Sequence, residues 1–176
     1  MSILGIDPSL TATGFSYRSD GDRAVTGRIV PKDLRGQHRL SFVRERFAAL
    51  LDKVAPTLVV YEGYAMNTKF GRLGDLGELG GVLKMEMYDT GIPHLLVPPS
   101  NLKLFVTGHG GGRGKEGKEL MMRTLAKHRR RLFTSNDEAD AYGLMLMGEA
   151  WVNPRSRPRD RRHHANRALQ GSEFIQ

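Results

Sequence analysis

The 176-residue sequence contains no cysteine. That excludes a disulfide framework and any thiolate zinc site. It contains a single Trp, and aromatic residues make up only 7% of it. No uninterrupted apolar run approaches the roughly 18 residues that span a bilayer, and the opening Met1-Ser-Ile-Leu4 lacks the charged n-region of a secretory signal. The expectation is a soluble cytoplasmic protein with no membrane partner. Acids are scarce beside bases, with 19 Asp plus Glu against 27 Lys plus Arg, giving a net charge of +8 and a pI near 10. Such an excess points to a polyanionic partner, nucleic acid first among them. What is present is ordinary for a globular chain: 39% apolar and 26% charged residues at a length suited to one domain with or without a tail.

The charge is unevenly placed. Residues 151–176 carry six Arg against Asp160 and Glu173, so half of the net charge lies in the last seventh of the chain. Between Trp151 and Arg167 almost nothing apolar follows Val152, too little to drive folding alone. The expected organisation is a domain over 1–152 and a mobile basic extension over 153–176 that adds phosphate contacts.

Within the body, Ser2-Ile-Leu-Gly-Ile6 reads as a buried strand closed by Asp7-Pro8. Residues 14–17 and 23–30 read as two further strands, joined through Asp20-Gly21 as an antiparallel hairpin. Leu40, Val43, Phe47, Leu50, Leu51 and Val54 recur at helical steps up to Pro56. Thr57-Leu-Val-Val-Tyr61 is a continuous β-prone run of the kind found in central strands. Leu73, Leu76, Leu79, Val82 and Leu83 are again helical, and the glycines at 74, 77, 80 and 81 among them imply close packing of backbone against a neighbour. Residues 92–97 form a fifth strand ended by Pro98-Pro99. A Gly-rich basic stretch over 101–118 follows, then a helix over 118–128 and a last helix opened by Ser135. The predicted class is an α/β layer fold with a mixed five-stranded sheet, strands one to three antiparallel and four and five parallel to the first, flanked by helices. Methionines at 85, 87, 121, 122, 145 and 147 suit helix faces in a core or a dimer interface.

Four acids stand out by position. Asp7 and Glu62 each follow a predicted strand, at the carboxyl edge where open α/β sheets bind ligands. Asp137 and Asp140 lie about one turn apart at the start of the last helix, whose beginning is marked by the capping-box pair Ser135 and Glu138. Singly, Asp7 before Pro8 also suits a turn, and Asp137 also suits a helix dipole. Together, with no Cys and no obligatory His, they make an all-oxygen site suited to two Mg²⁺ or Mn²⁺ ions and to phosphodiester hydrolysis.

The segments Gly5-Ile-Asp7-Pro-Ser-Leu-Thr-Ala-Thr-Gly14, Val59-Val-Tyr-Glu62 and Asp137-Glu-Ala-Asp140-Ala resemble the RuvC family of Holliday-junction resolvases, of RNase H-like fold, in order and approximate spacing over about residues 2–150. Pro99-Ser-Asn-Leu-Lys103 and Val106-Thr-Gly-His-Gly110 before Lys115 are similar too. The resemblance implies that Asp7, Glu62, Asp137 and Asp140 are a metal-binding catalytic tetrad, that Lys103 and Lys115 stand near the scissile phosphate with Lys118 as the fallback, and that a homodimer makes paired nicks in branched DNA, leaving 5′-phosphate ends. The further residues expected on DNA are Tyr64, Lys69, Arg72, His109 and Arg113. Where bacterial members carry an aromatic three residues after the catalytic Glu, Ala65 stands here with Tyr64 beside it. That departure, the Arg-rich tail and the compact size look like a phage-encoded relative, which would act in its host's cytoplasm.

Two other classes compete. A catalytically silent junction-binding protein would follow from the charge alone, and metal-dependent nicking separates it from a nuclease. An actin-like or sugar-kinase-like ATPase shares the Gly-Ile-Asp opening but needs a second nucleotide-binding half. The loop over 110–114 is not a P-loop, since no Gly-Lys-Ser/Thr opens a helix, so no nucleotide cofactor is expected. None of the six His has zinc-site spacing with another ligand.

Overall fold

The computed structural model describes residues 1–19, 21–63, 70–109, 114–129, 132–157 and 162–175, with the backbone alone at 70–72, 114–115, 128–129 and 162. Six strands form one mixed sheet in the order β3-β2-β1-β4-β5-β6. They are β1 (Ser2–Asp7), β2 (Thr13–Ser19), β3 (Val25–Ile29), β4 (Leu58–Glu62), β5 (His94–Val97) and β6 (Glu173–Ile175). β1 to β3 pair antiparallel, and β4 and β5 run parallel to β1. The expected five strands are therefore joined by a sixth, β6, antiparallel to β5.

All six residues of β1 are buried, because helices cover it on both sides. Strand periodicity divides the core. Leu4, Ile6, Val59 and Tyr61 point to one layer, with α1 (Gly36–Val54) and α2 (Phe70–Asp89). Ile3, Leu58 and Val60 point to the other, against Ala139, Tyr142, Met145 and Met147 of α5 (Asn136–Val152). Odd positions of β1 and even positions of β4 thus face α5. Two glycines let α5 lie directly on the sheet. A Cβ at Gly5 would collide with the Ala141 carbonyl and the Met145 nitrogen, and one at Gly14 with the Asp137 carbonyl.

Three expectations are corrected. First, residues 99–107 form helix α3 (Pro99–Thr107), and α4 begins at Gly114 rather than at Lys118, so the Gly-rich basic stretch is helical over 101–107 and 114–118. Pro99 sits in the first turn, where its missing N–H costs nothing, and Leu102, Phe105 and Val106 supply a buried face. Second, the described residues of the expected mobile extension, 153–157 and 162–175, are packed on the domain. Helix α6 (Arg162–Gln170) buries Ala165, Ala168 and Leu169 in the α5-side core, Asn101 Nδ2 donates to the Ala168 carbonyl at 2.9 Å, and Trp151 stacks on Phe174 at 6.4 Å. Arg157 is spent on structure, with Nε donating to the Ala150 carbonyl and a guanidinium nitrogen to Asn166 Oδ1 at 2.8 Å. The anchoring residues are small, so composition hid them. Third, of the α2 glycines Gly80 is buried, but a Cβ built at Gly74, Gly77 or Gly81 meets nothing within 4 Å among the described residues outside the helix's own backbone. Among the described residues no helix is long and apolar enough to cross a membrane.

Candidate functional site

Pairing of β1 with β4 is parallel and brings Ile6 opposite Tyr61, so the next residues, Asp7 and Glu62, leave the sheet side by side. Both fall on the strand positions that face α5. Asp7 is also opposite Gly14, the glycine on which Asp137 rests. The start of α5 is fixed by its cap, in which Ser135 Oγ accepts from the Glu138 N–H at 3.2 Å. Glu138 Oε2 in turn accepts from the N–H and hydroxyl of Thr134 at 3.2 and 2.8 Å, one residue earlier than a standard capping box would place it. With the helix start pinned, Asp137 and Asp140 come to the end of the sheet where Asp7 and Glu62 emerge. The four acids line one cleft of about 300 Å³, together with Ser9, Lys103 of α3 and Lys118 of α4.

Burial and like charge dominate this cleft. The Asp7 carboxyl is pushed well above its usual range, first by burial, then by the Glu62 charge and their shared hydrogen bond, then by Asp140 and Asp137. Glu62 is raised by burial, while the hydrogen bond from Asp7 and the charges of Lys103 and Lys118 pull it back toward ionisation. One proton therefore sits on Asp7 and is donated to Glu62. Asp140 is pushed up to about 7 by burial and then Glu62, against the opposing pull of Lys118. Among the described residues two lysines face four acids, and burial with like charge raises Asp7, Glu62 and Asp140 toward their protonated forms. A divalent cation is the natural replacement for those protons.

The donor set is all carboxylate oxygen, which fits Mg²⁺ or Mn²⁺ rather than a soft metal. Among the described residues no three of these acids are already grouped closely enough to enclose an ion. Loading would therefore require the side chains to draw together as the shared proton leaves.

The other expected site residues divide by location. Lys103 is half-buried and Lys118 exposed, and both reach the cleft. Lys115 and Arg72 lie on α4 and α2 at positions where only the backbone is described, and Tyr64, Lys69 and Arg113 fall outside the described residues. His109 is exposed after α3, where its backbone N–H donates to Thr107 Oγ1 at 3.1 Å, and it does not line the cleft. Sequence reasoning missed a second trough of about 570 Å³ that shares Ser9 and Leu76 with the acid cleft. Lys32, Arg35 and Arg39 line it, opposed by Asp33 and Asp75. Arg39 is held by its Nε, which donates to the Leu34 carbonyl at 3.0 Å. The legible signal was the basic turn Pro31-Lys-Asp-Leu-Arg-Gly36 before α1.

The family model for the crossover junction endodeoxyribonuclease RuvC matches residues 3–147, a span that contains every acid of the cleft. The chain belongs to the RuvC family. A RuvC of Leifsonia xyli is 30% identical over 129 residues, 70% of this chain and 62% of that protein, so the match covers less than two thirds of that relative. A RuvC of Thermotoga petrophila is 27% identical over 172 residues, 94% of this chain and the whole of that one. Among solved structures, Thermus thermophilus RuvC in complex with a Holliday junction substrate superposes with a TM-score of 0.70 over 89% of this chain and 97% of that one. At 18% identity that likeness speaks for the fold, which is the RNase H-like fold expected of RuvC. The RuvC match ends at residue 147, so α6 and β6 lie outside it.

Proposed function

We propose that this chain is a divalent-metal-dependent endonuclease that resolves four-way DNA junctions, working as a homodimer and leaving 5′-phosphate ends. The observation that carries the reading is the convergence of Asp7, Glu62, Asp137 and Asp140 on one cleft whose retained protons mark an uncompensated negative charge. Bound divalent ions would supply Lewis-acid chemistry there, lowering the pKa of the attacking water and stabilising the departing 3′ oxygen. Asp7, which lies between Glu62 and the α5 acids, would serve both ions; Glu62 and Asp140 would complete one each, and Asp137 would hold an ion or orient the water. Lys103 and Lys118 already oppose the negative field at Glu62 and Asp140, and they would oppose the charge that grows on the phosphate in the same cleft. The trough with Lys32, Arg35 and Arg39 extends this cleft along a path the DNA backbone could follow.

A single cleft makes a single cut, and paired cuts need a second copy. The face of α2 supports one: Gly74, Gly77, Gly81, Met85 and Tyr88 share one helical stripe, the glycines are open, and Met85 and Tyr88 are 57% and 75% exposed.

The deciding experiment incubates the purified chain with a synthetic four-way junction, with EDTA or with Mg²⁺. The expected result is nicking in Mg²⁺ alone, in symmetrically placed pairs that DNA ligase reseals without prior phosphorylation. Binding without nicking at any divalent-metal concentration would make the chain a silent junction-binding protein instead. Nicks that ligase cannot reseal would contradict the 5′-phosphate assignment.

A further inference from the structure

Away from the acid cleft, α1 carries a stripe of cations. Arg39, Arg46 and Lys53 follow one another at seven-residue steps, which puts them on one face of the helix about 10 Å apart along its axis. The acids of that helix, Glu45 and Asp52, fall about a quarter-turn or more from this line. Among the described residues none of the three cations is within ion-pair distance of a carboxylate. The stripe joins two depressions. Arg35 and Arg39 line the basic trough beside the acid cleft, and two turns further on Arg46 and Lys53 rim a groove of about 410 Å³ between α1 and the strands β2 and β3. The chain leaving β3 borders both, with Val30 in the groove and Lys32 in the trough. No acid lines the groove. Arg28 borders it too, with its Nε 3.8 Å from Glu138.

Between these cations the groove is floored by apolar side chains, two of them the half-buried rings of Phe15 and Phe42. The Phe15 ring is seated on Gly27, where a Cβ would come within 2.5 Å of it, and the guanidinium carbon of Arg46 stands 5.4 Å from the Phe42 ring centroid. Rings and cations thus lie side by side, and that combination selects among polyanions. A duplex keeps its base faces stacked inside, so it would use the cations and leave the rings idle. An unpaired strand presents both phosphates and base faces, and channels for single strands are built from this pairing of positive charge with aromatic rings. An acidic polypeptide would also answer the rim charge, but the stripe runs from the groove to the trough and so to the acid cleft, where the proposed substrate is DNA. None of the groove residues lines the cleft itself, so occupancy of the groove is separable from cleavage.

We propose that the groove between α1 and the β2 and β3 strands holds an unpaired DNA strand, its phosphates on Arg46 and Lys53 and its bases against Phe15 and Phe42, so that the chain engages branched DNA with a single-stranded branch as well as fully duplex junctions. The inference rests on the nuclease reading for its substrate, but its test needs no cleavage. The full chain, in EDTA, is titrated into a fluorescein-labelled oligothymidine of about 16 nucleotides and into a strand of the same length with abasic sites in place of the bases, and anisotropy is read. The parent is expected to bind the thymidine strand roughly fivefold or more tightly than the abasic one. Phe42→Leu, which keeps an apolar side chain in the floor, is expected to lose most of that preference while binding the abasic strand and a duplex as the parent does. Arg46→Gln with Lys53→Gln is expected to weaken the thymidine strand and to lower the slope of log affinity against log salt by about 1.4; being on the exposed rim, this pair decides the matter if Phe42→Leu does not melt like the parent. A parent that shows this pattern yet nicks no junction in Mg²⁺ would uphold the groove assignment and remove the nuclease reading. Equal binding of thymidine and abasic strands by the parent, unchanged strand binding by a folded variant, or an equal loss of duplex binding in Phe42→Leu would overturn the proposal. Displacement of the strand by polyglutamate as readily as by unlabelled oligothymidine would overturn it as well and make the groove a surface for acidic proteins.

Discussion

Glycines on the two sides of the sheet do opposite things. Gly5 and Gly14 are closed: α5 rests on them so tightly that any Cβ would strike its backbone. Gly74, Gly77 and Gly81 on α2 are open, with nothing among the described residues outside their own helix within 4 Å of a Cβ. The closed pair seats Asp137 and Asp140 beside Asp7 and Glu62, which makes it a positioning device inside one chain. The open stripe has no close neighbour among the described residues, and the proposed second copy would cover it. The same residue type thus marks the carboxylate geometry on one face and the proposed subunit contact on the other.

Substitutions can separate the two. Gly5→Ala and Gly14→Ala must displace α5 backbone, and a loss of about 3 kcal/mol or more is expected by denaturant unfolding. Gly77→Ala, by contrast, has room for its methyl group and is expected to stabilise α2 by up to about 1 kcal/mol. Equal effects at the two places would erase the distinction. Next in size, Gly77→Arg with Gly81→Arg is expected to leave the fold intact while weakening self-association roughly tenfold or more in sedimentation experiments. Paired cuts in the junction should then become unpaired nicks.

Charge in the closed region has its own signature. The folded-state pKa of Asp140, about 7, lies above the ordinary aspartate value of 3.8, so the folded protein holds a proton that the unfolded chain releases. The resulting stability is complete below the unfolded pKa and declines as pH rises through the folded one. Without metal, the parent is therefore expected to lose thermal stability between about pH 4 and pH 7. Asp140→Asn should flatten that decline, melt higher than the parent at pH 8 in EDTA, and gain less from added Mg²⁺. A variant with the parent's pH profile would show that the Asp140 carboxyl does not carry the effect. The smallest effect is expected in the trough, where Lys32→Ala, Arg35→Ala and Arg39→Ala should each lower the salt dependence of junction binding by about one phosphate contact, with the metal requirement unchanged.

The site was legible in the sequence wherever strand periodicity and a helix cap fixed it. Asp7 and Glu62 end two apolar runs, and the parity of Ile3 and Val60 decides that both carboxylates face α5. Ser135 and Glu138 set the start of that helix. Legibility failed where the anchoring residues were small or ambiguous. Ala165 and Ala168 did not look like a core face, so α6 passed for a tail. Pro99 looked like a terminator although it occupies the first turn of α3, where proline is tolerated. The glycines of α2 implied a neighbour, but composition cannot say whether a neighbour belongs to the same chain. The basic trough also escaped, because Ser9, Lys32 and Asp75 come from three distant segments and meet only in the folded chain.

The most direct test replaces Asp7, the most buried acid of the cleft, with Asn and follows both binding and Mg²⁺-dependent nicking of a synthetic four-way junction. Asp7→Asn is expected to bind the junction about as well as the parent while nicking it at least about a thousandfold more slowly, a loss of roughly 4 kcal/mol in transition-state stabilisation. Nicking by Asp7→Asn at the parent's rate would contradict a catalytic role for the carboxylate cluster.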